Sequence, residues 1–398
     1  MANRINGPLA GIKILDIGSA LSTPMAATIL GDQGAEVIRV EPTGIGDLTR
    51  YVGAKRNGVS AIFQAANRGK RNIALDLKSD AGVEVFYRLA KNTDVVIHNF
   101  RPGVAERLHI DYSTLSKTNP DIIYLAVSGF GDKGPMADKP AYDNVVQAFA
   151  GVAYSQTHSV NSEPIQYQQL FADKLTAVHA SQAISAALLA RERGQGGQLI
   201  RLSMTDVVAS FMWPDVSETA MFKDEAEAGV SVSKTRPMIR FSNGYAQIAP
   251  LSDKHFHSWC AVFGVDSSDP KLTTIVDRSA NRDVYSAVTQ KITERAAELD
   301  VDETIAKLEA ADVPCAKAQH LSELPFHPQM QANGLFVETS HPKAGQMIEA
   351  KNPIQFSKTP SGCGSPSAEL GADTEEIMQE MGYNEREIIQ LRSENVIQ

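Results

Sequence analysis

The sequence predicts an α/β protein: a Rossmann-like large domain with a mainly parallel sheet, joined to a smaller α+β domain. Short apolar runs bounded by breakers alternate with helical patterns through the N-terminal half. Strands separated by helical segments imply βαβ units, whose strands run parallel. Near Gly229 the character changes to amphipathic helices with few strands, which predicts the second unit. The expected boundaries are 1–215 for the N-terminal part of the large domain, 225–330 for the small domain, and 331–398 for a return to the large one.

The first strand is Ile12–Ile17 (IKILDI), broken by Gly18 and Ser19. Pro24 suits the first turn of a helix that stops at Gly34. Glu36–Glu41 (EVIRVE) and Asn72–Leu77 (NIALDL) are the second and third strands, followed by a helix over Asp80–Lys91. The strand DVVIHNF, another helix and the strand DIIYLAVS, ending at Ser128, continue the alternation. A long helix starts after Phe171, with Ala177, Ala180, Ile184, Ala187 and Leu188 forming one small-residue face. The turn RGQGGQ leads from it into the strand QLIRLS. Further on, Tyr245–Leu251 and VPCAKA read as strands, and Arg282–Leu299 and Val301–Ala310 as helices. From Gly334 the chain reads as irregular, until Asp373 with Glu376 signals a capping box.

A chain of 398 residues corresponds to two or three domain equivalents of ~150 residues and buries a core without staples. Its net charge of −9 argues against a general nucleic-acid or anionic-membrane binder. Cys260, Cys315 and Cys363 share no close spacing, which excludes a disulfide framework and fits a reducing compartment. The segment MANRINGPLAGIKI lacks the apolar core of a secretory signal, and no apolar run approaches the ~18 residues of a membrane span. The expectation is a cytoplasmic protein with no membrane or nucleic-acid partner.

Several motifs carry possible chemistry. Gly129-Phe130-Gly131-Asp132-Lys133-Gly134 follows a strand, but Pro135 and Pro140 leave no long helix to receive a pyrophosphate, so it reads as a surface loop. His255, His257 and Cys260 lack a second ligand cluster, so no metal is expected. No Gly-x-Ser-x-Gly elbow supports a serine hydrolase. Arg68, Lys70 and Arg71 form a cationic cluster that reads equally as a phosphate holder or as a solvated turn. At the end of the strand DVVI, where open sheets bind ligands, Asn99 offers an amide, Phe100 a stacking face, and Arg101 and Arg107 phosphate partners. Asp173, at the start of the long helix, reads first as an N-cap. The positive end of the helix dipole would keep it ionised, a state that also suits a nucleophile.

In order, PLAGIKILDIGSALSTPMAATILGDQGAEVIRVEP, NRGKRNIALDLK, HNFRPGVAERL, NPDIIYLAVSGFGDKGP, AYDN, FADKLTAVHASQAISAALLARERGQGGQ, VPCAKAQHLSEL and LGADTEEIMQEMGY span nearly the whole chain. This ordered set resembles the class III CoA-transferases, the family of formyl-CoA transferase and carnitine CoA-transferase. The resemblance implies that Asp173 is the nucleophile and Tyr142 an active-site tyrosine. It places Leu21, Leu75, Lys78, Asn99, Phe100, Arg101 and Arg107 on coenzyme A, and Ser22 beside the substrate. It implies transfer of CoA from an acyl-CoA donor, succinyl-CoA among the candidates, to a free carboxylic acid through an aspartyl-CoA thioester. No prosthetic group is implied, and coenzyme A enters as substrate. The implied assembly is an interlocked homodimer, or a heteromer with a paralogous subunit.

The family also holds α-methylacyl-CoA racemases, which carry His where this chain has Tyr142. A phenol, titrating ordinarily near ~10, is a poor base at neutral pH, which disfavours racemisation. A non-catalytic acyl-CoA-binding protein is the reading from another class. Two departures stand out. Pro42 occupies the place of a basic residue that covers adenine in some transferases, leaving Arg39 or the Arg68 cluster as candidates. Ala249-Pro250-Leu251-Ser252 stands in the region where one branch has a run of glycines. Arg50, Lys55 and His98 are candidate holders of a second carboxylate on the acceptor.

Overall fold

All six apolar runs of the N-terminal half form strands of one parallel sheet in the computed structural model, which describes residues 5–157, 163–225 and 238–398. These are β1 (Lys13–Asp16), β2 (Glu36–Glu41), β3 (Arg71–Ala74), β4 (Val95–His98), β5 (Ile123–Ser128) and β6 (Gln198–Ser203). The main helices between and after them are α1 (Ser22–Asp32), α2 (Asp80–Lys91), α3 (Asp143–Phe149), α4 (Phe171–Ala190) and α5 (Met204–Val216). The spatial order is β3-β2-β1-β4-β5-β6, with Leu15 opposite Ile38 on one side and Val96 on the other. The chain works outward from β1 in both directions. The carboxyl ends of β1 and β4 therefore flank a topological switch point, where open α/β sheets bind ligands.

Central strands covered on both faces need apolar residues throughout, and Val95, Val96 and Ile97 are fully buried. One face packs on α1 and α4, where Ala26, Ala27 and Leu30 meet Ala177, Ala180 and Ile184. These small side chains let the two helices approach closely, which brings their first turns together. The other face packs on Val85, Phe86 and Leu89 of α2 and on Ile377, Met378 and Ile388 from the C-terminal helices Thr374–Glu380 and Glu385–Ser393. Beyond β3, Leu75 forms an isolated antiparallel bridge with Ile397.

The chain divides into two compact units, residues 1–229 with 331–398, and residues 230–330. The second has a three-stranded antiparallel sheet in the order Cys315–Lys317, Gly244–Ile248, Ile239–Phe241. Phe256, Trp259, Cys260, Ile292 and Leu308 fill its core. The change of character expected near Gly229 lies outside the described residues.

Three local expectations need correction. The stretch after Gly334, read as irregular, opens with an antiparallel hairpin of Phe336–His341 and Gly345–Ala350, whose exposed strands carry little apolar alternation. Asp373 makes no capping box: its carboxylate accepts the Asn72 N–H at 2.7 Å, tying the C-terminal segment to β3. The helix expected after His98 is two short pieces, Val104–Arg107 and Tyr112–Leu115, and Gly103 rather than Pro102 precedes the first.

Candidate active site

The turn from β1 into α1 is tied down residue by residue. The Gly18 N–H donates to Asp16 Oδ1 at 3.1 Å, and the Ala20 N–H to Asp47 Oδ2 at 3.0 Å. Between them, the Ser19 N–H donates to Asn99 Oδ1 at 2.8 Å while Asn99 Nδ2 donates to the Ser19 carbonyl at 2.7 Å. Asn99 Nδ2 also reaches Ser22 Oγ at 3.2 Å. Asn99, just past β4, thus spans the switch point and grips the loop that follows β1. Residue 18 must be glycine, because a Cβ there would lie 1.8 Å from Thr23 Oγ1. Ala20 has φ 59°, a left-handed conformation held by these anchors.

Ser22 opens α1 and is buried, as is Leu21 before it. The Ser22 hydroxyl and backbone N–H both face the Asp173 carboxyl and favour its charged form. Asp173 lies inside the first turn of α4 and is not its N-cap; Leu170 holds that position without a side-chain cap. The acceptor comes instead from another helix: Asp143 Oδ1 takes the Asp173 N–H at 2.9 Å. Burial and then the negative charge of Asp143 push the Asp173 carboxyl up to about 7, against the pull of the Ser22 donors. The helix dipole was expected to keep Asp173 ionised, but desolvation beside a like charge outweighs it.

Asp143 is itself buried, and its second oxygen accepts from Gln147 Nε2 one turn along α3. Gln147 Nε2 also donates to the Gln169 carbonyl at 2.7 Å, and Gln166 Nε2 donates to Gln147 Oε1 at 3.0 Å. The segment entering α4 is thereby fastened to α3. Sequence reading passed over Asp143, Gln147, Gln166 and Gln169 as functional groups. The available signal was the Asp143/Gln147 spacing, which puts both side chains on one helix face. Tyr142 immediately precedes α3, with its side chain 68% exposed.

The remaining candidates divide into two places. Leu75 is buried at the end of β3, where its N–H donates to the Glu41 carbonyl, and Lys78 is exposed just beyond. Phe100 stacks on His98 with ring centroids 5.0 Å apart, and Arg101 and Arg107 are exposed. Lys78, Arg101 and Arg107 make no ion pair with the described residues. A cavity of about 640 Å³ lies against β4, β5 and β6, lined by His98, Phe100, Arg101, Tyr112, Tyr124 and Arg201 among others; Asp173, Ser22 and Tyr142 do not line it.

Several cations read as ligand holders are engaged internally. Lys70 Nζ contacts Asp16 at 2.8 Å and the Pro24 carbonyl at 2.7 Å. Arg68 pairs with Asp32 at 2.6 Å, and Arg71 with Glu380 at 2.8 Å. Arg39 is buried between Asp16 and Asp47, at 2.9 and 2.6 Å. Arg39 and the Arg68 cluster therefore cannot cover an adenine ring without breaking these pairs. Arg50 bonds Glu41 at 2.7 Å and lies 3.8 Å over the Phe63 ring. Burial lowers His98 to about 4, and its Nδ1 accepts the Phe100 N–H at 3.1 Å, so it is neutral at pH 7. Neither Arg50 nor His98 is a free carboxylate holder; Lys55 remains exposed. His257 bonds Ser267 at 2.9 Å and Cys260 is buried in the second unit's core. The GFGDKG segment is a loop, with the next helix opening only at Asp143.

The Rossmann-like strand order, the carboxylate at the switch point and the ordered motifs converge on one class. The chain belongs to CoA-transferase family III, whose family model matches residues 9–374. It is a CoA-transferase that acts on CoA thioesters. It is 29% identical to the succinate–glutarate CoA-transferase of Agrobacterium fabrum over 405 residues, covering 97% of this chain and 98% of that protein. It is 32% identical to the acetyl-CoA:oxalate CoA-transferase of Acetobacter aceti over 363 residues, covering 88% of this chain and 90% of that one. The crystal structure of a CaiB/BaiF family protein from Brucella suis superposes with a TM-score of 0.81 at 30% identity, covering 94% of this chain and all of that one. Among the described residues, no helix is long and apolar enough to cross a membrane.

Proposed function

We propose that the chain moves CoA from an acyl-CoA, with succinyl-CoA as donor, to a free carboxylic acid by way of Asp173. The observation that carries this reading is a carboxylate at the switch point that faces the Ser22 hydroxyl and N–H and, among the described residues, makes no ion pair. A carboxylate Oδ of Asp173 attacks the thioester carbonyl; the C–S bond breaks and a mixed anhydride forms. The released CoA thiolate attacks the Asp173 side-chain carbonyl, expels the donor acid and leaves an aspartyl-CoA thioester. The acceptor carboxylate attacks that thioester and frees the thiolate with a second anhydride. Thiolate attack on the acceptor's acyl carbon then gives the new acyl-CoA and restores Asp173. Thioester energy is conserved through every step, so no nucleotide triphosphate is required.

Ser22 supplies hydrogen bonds to the oxyanions, and Asn99 orients Ser22. Leu21, Leu75, Lys78, Asn99, Phe100, Arg101 and Arg107 hold the coenzyme, whose remote binding energy positions the small reacting ends. Tyr142 borders the acyl group. Arg50 and His98 drop out as holders of an acceptor's second carboxylate, and Lys55 takes that role. The succinyl donor is supported by the likeness to the succinate–glutarate CoA-transferase of Agrobacterium fabrum. The assembly is a homodimer of interlocked chains. Phe149, Tyr154, Ile165, Phe211 and Trp213 are exposed apolar side chains of the large unit that such an assembly would cover.

The test incubates the protein with succinyl-CoA and no acceptor, followed by intact-protein mass spectrometry. A CoA adduct discharged by hydroxylamine as an Asp173 hydroxamate, and absent from Asp173→Ala, is the expected result. Undiminished acid exchange by Asp173→Ala overturns the reading. A carboxyl group titrating at about 7 also suits proton transfer, which keeps α-methylacyl-CoA racemisation as the second reading. Deuterium uptake at C2 of a 2-methylacyl-CoA without acid exchange would select it.

A further inference from the structure

We infer that Asp143 is the positioning residue for the nucleophile, holding Asp173 through its backbone N–H while Gln147 anchors Asp143 in turn. This deepens the proposed function and rests on Asp173 being the nucleophile.

The first-turn N–H groups of a helix have no partner within that helix. In α4 no side chain of the helix or of Leu170 caps them. Asp143, from a different helix, supplies the acceptor at Asp173 itself. Its position is over-determined: the side chain is 4% exposed, it starts α3, and its other oxygen is bonded to Gln147. Gln147 is fastened to both Gln166 and Gln169, the segment that feeds α4. One buried carboxylate therefore fixes the backbone of Asp173, while the loop after β1 presents Ser22 to its side chain. The acid is gripped from both sides, the near-attack placement that covalent transfer requires.

Placing a second carboxylate against a nucleophilic one also has an electrostatic effect. Asp143 raises the proton affinity of Asp173, adding to burial. From α1 the group that meets Asp173 is the uncharged Ser22, and Gln166 and Gln169, on the segment before α4, are bonded to Gln147. Lys174, next in α4, is turned to Gln169 Oε1 at 2.7 Å. Within this corner Asp143 is the charge that opposes ionisation. A carboxylate of higher proton affinity is the stronger nucleophile toward a thioester, provided the medium keeps it ionised.

The experiment measures CoA exchange with the donor and acceptor found active for the unmodified protein, across pH, for Asp143→Asn, Asp143→Ala and Gln147→Leu. Asp143→Asn keeps an oxygen for the Asp173 N–H and removes the charge. Its acidic limb in kcat/KM is expected to move down by about one pH unit with kcat within roughly fivefold. Asp143→Ala removes the acceptor as well and is expected to lose about 30-fold in kcat, with KM for acyl-CoA changed less than about twofold. Gln147→Leu frees Asp143 without touching Asp173 and is expected to shift kcat the same way by a smaller factor, which keeps the test open if Asp143→Ala fails to fold. An unmoved acidic limb in Asp143→Asn, or full kcat in a folded Asp143→Ala, overturns the inference. Activity in Asp173→Ala overturns the nucleophile reading; an inactive Asp173→Ala beside unchanged Asp143 variants removes only the positioning role.

Discussion

Asp16, at the end of β1, is fully buried and Asp173, in the first turn of α4, half-buried, yet their surroundings treat them in opposite ways. Asp16 is bracketed by Arg39 at 2.9 Å and Lys70 at 2.8 Å, and the Gly18 N–H adds a third donor. Burial works against its charge, but the two cations outweigh it and hold the carboxyl below its ordinary range. Asp173 has burial and the Asp143 charge against it and only the Ser22 donors in its favour, and it rises to about 7. The scaffold neutralises its own buried charge, whereas the corner around Asp173, proposed above as the reactive one, leaves its charge uncompensated. The Asp16 charge is paired; the Asp173 charge is left exposed to its neighbours, at a cost in stability.

The largest expected effect comes from breaking the paired side. Asp16→Asn leaves Lys70 and one arm of Arg39 buried without their counter-charge, and removal of one partner from a buried pair costs about 3–5 kcal/mol. Denaturant unfolding should show the loss near pH 7. The linkage sign agrees: a lowered folded-state value means the Asp16 contribution is present above the unfolded value and disappears as pH falls through the folded one. The acid limb of the stability curve should therefore flatten in the variant.

The unpaired side should respond with the opposite sign. Between the unfolded carboxyl value, 3.8, and about 7 the folded protein binds the extra proton on Asp173. Stability from this group is therefore present at low pH and lost as pH rises through that window. Asp173→Asn, unable to ionise, should be more stable than the unmodified protein by on the order of 3 kcal/mol at pH 8. The gap should close as pH is lowered toward 4. A destabilised Asp173→Asn at pH 8 breaks the comparison, because it would mean that the carboxylate has a cationic partner after all.

This contrast also marks what could be read from residues alone. The six strands were legible because each is an apolar run bounded by glycine, proline or polar breakers, and the helical periodicity between them implied the parallel arrangement. Charge pairing was not legible. Arg39, Lys70 and Arg68 read as phosphate or adenine partners because their acids, Asp16, Asp47 and Asp32, are brought to them by folding rather than by local spacing. Asp173 read as an N-cap for the same reason: its acceptor lies 30 residues away in the chain, at Asp143. Asp373 failed in the reverse direction, since a local capping pattern was present but β3 claimed the side chain. Local motifs report local competition, and buried polar groups settle theirs over long range.

Asn99 joins the two sides, because the loop it grips starts at Asp16 and ends at Ser22. Asn99→Ala removes four hydrogen bonds to that loop, at the Ser19 N–H, the Ser19 hydroxyl, the Ser19 carbonyl and Ser22 Oγ. The effect should fall on turnover more than on folding: about a 30-fold drop in kcat/KM, equivalent to roughly 2 kcal/mol of lost transition-state positioning. Steady-state kinetics beside thermal unfolding separate the two. A fall in melting temperature with kinetics intact would show that the amide serves the scaffold alone.

The smallest effect probes the loop itself. Ala20 sits at φ 59°, where an L-residue with a Cβ pays a steric penalty that glycine avoids. Its N–H is held by Asp47, which also takes Arg39, so the strained residue is fastened to the paired network and not to the corner around Asp173. Ala20→Gly relieves the penalty but adds freedom to the unfolded chain, and the balance at a left-handed position favours the variant by about 0.5 kcal/mol. Ala20→Val sharpens the point: a β-branched residue at that φ should cost about 1–2 kcal/mol. If Asp47 alone dictates the loop, both variants should keep Ser22 in place, and kcat/KM should stay within about threefold in each while stability moves in opposite directions. Equal activity with opposite stability shifts would locate the strain in the scaffold half of the comparison; a large kinetic loss in Ala20→Gly would show instead that rigidity of this turn reaches through Ser22 to the carboxylate.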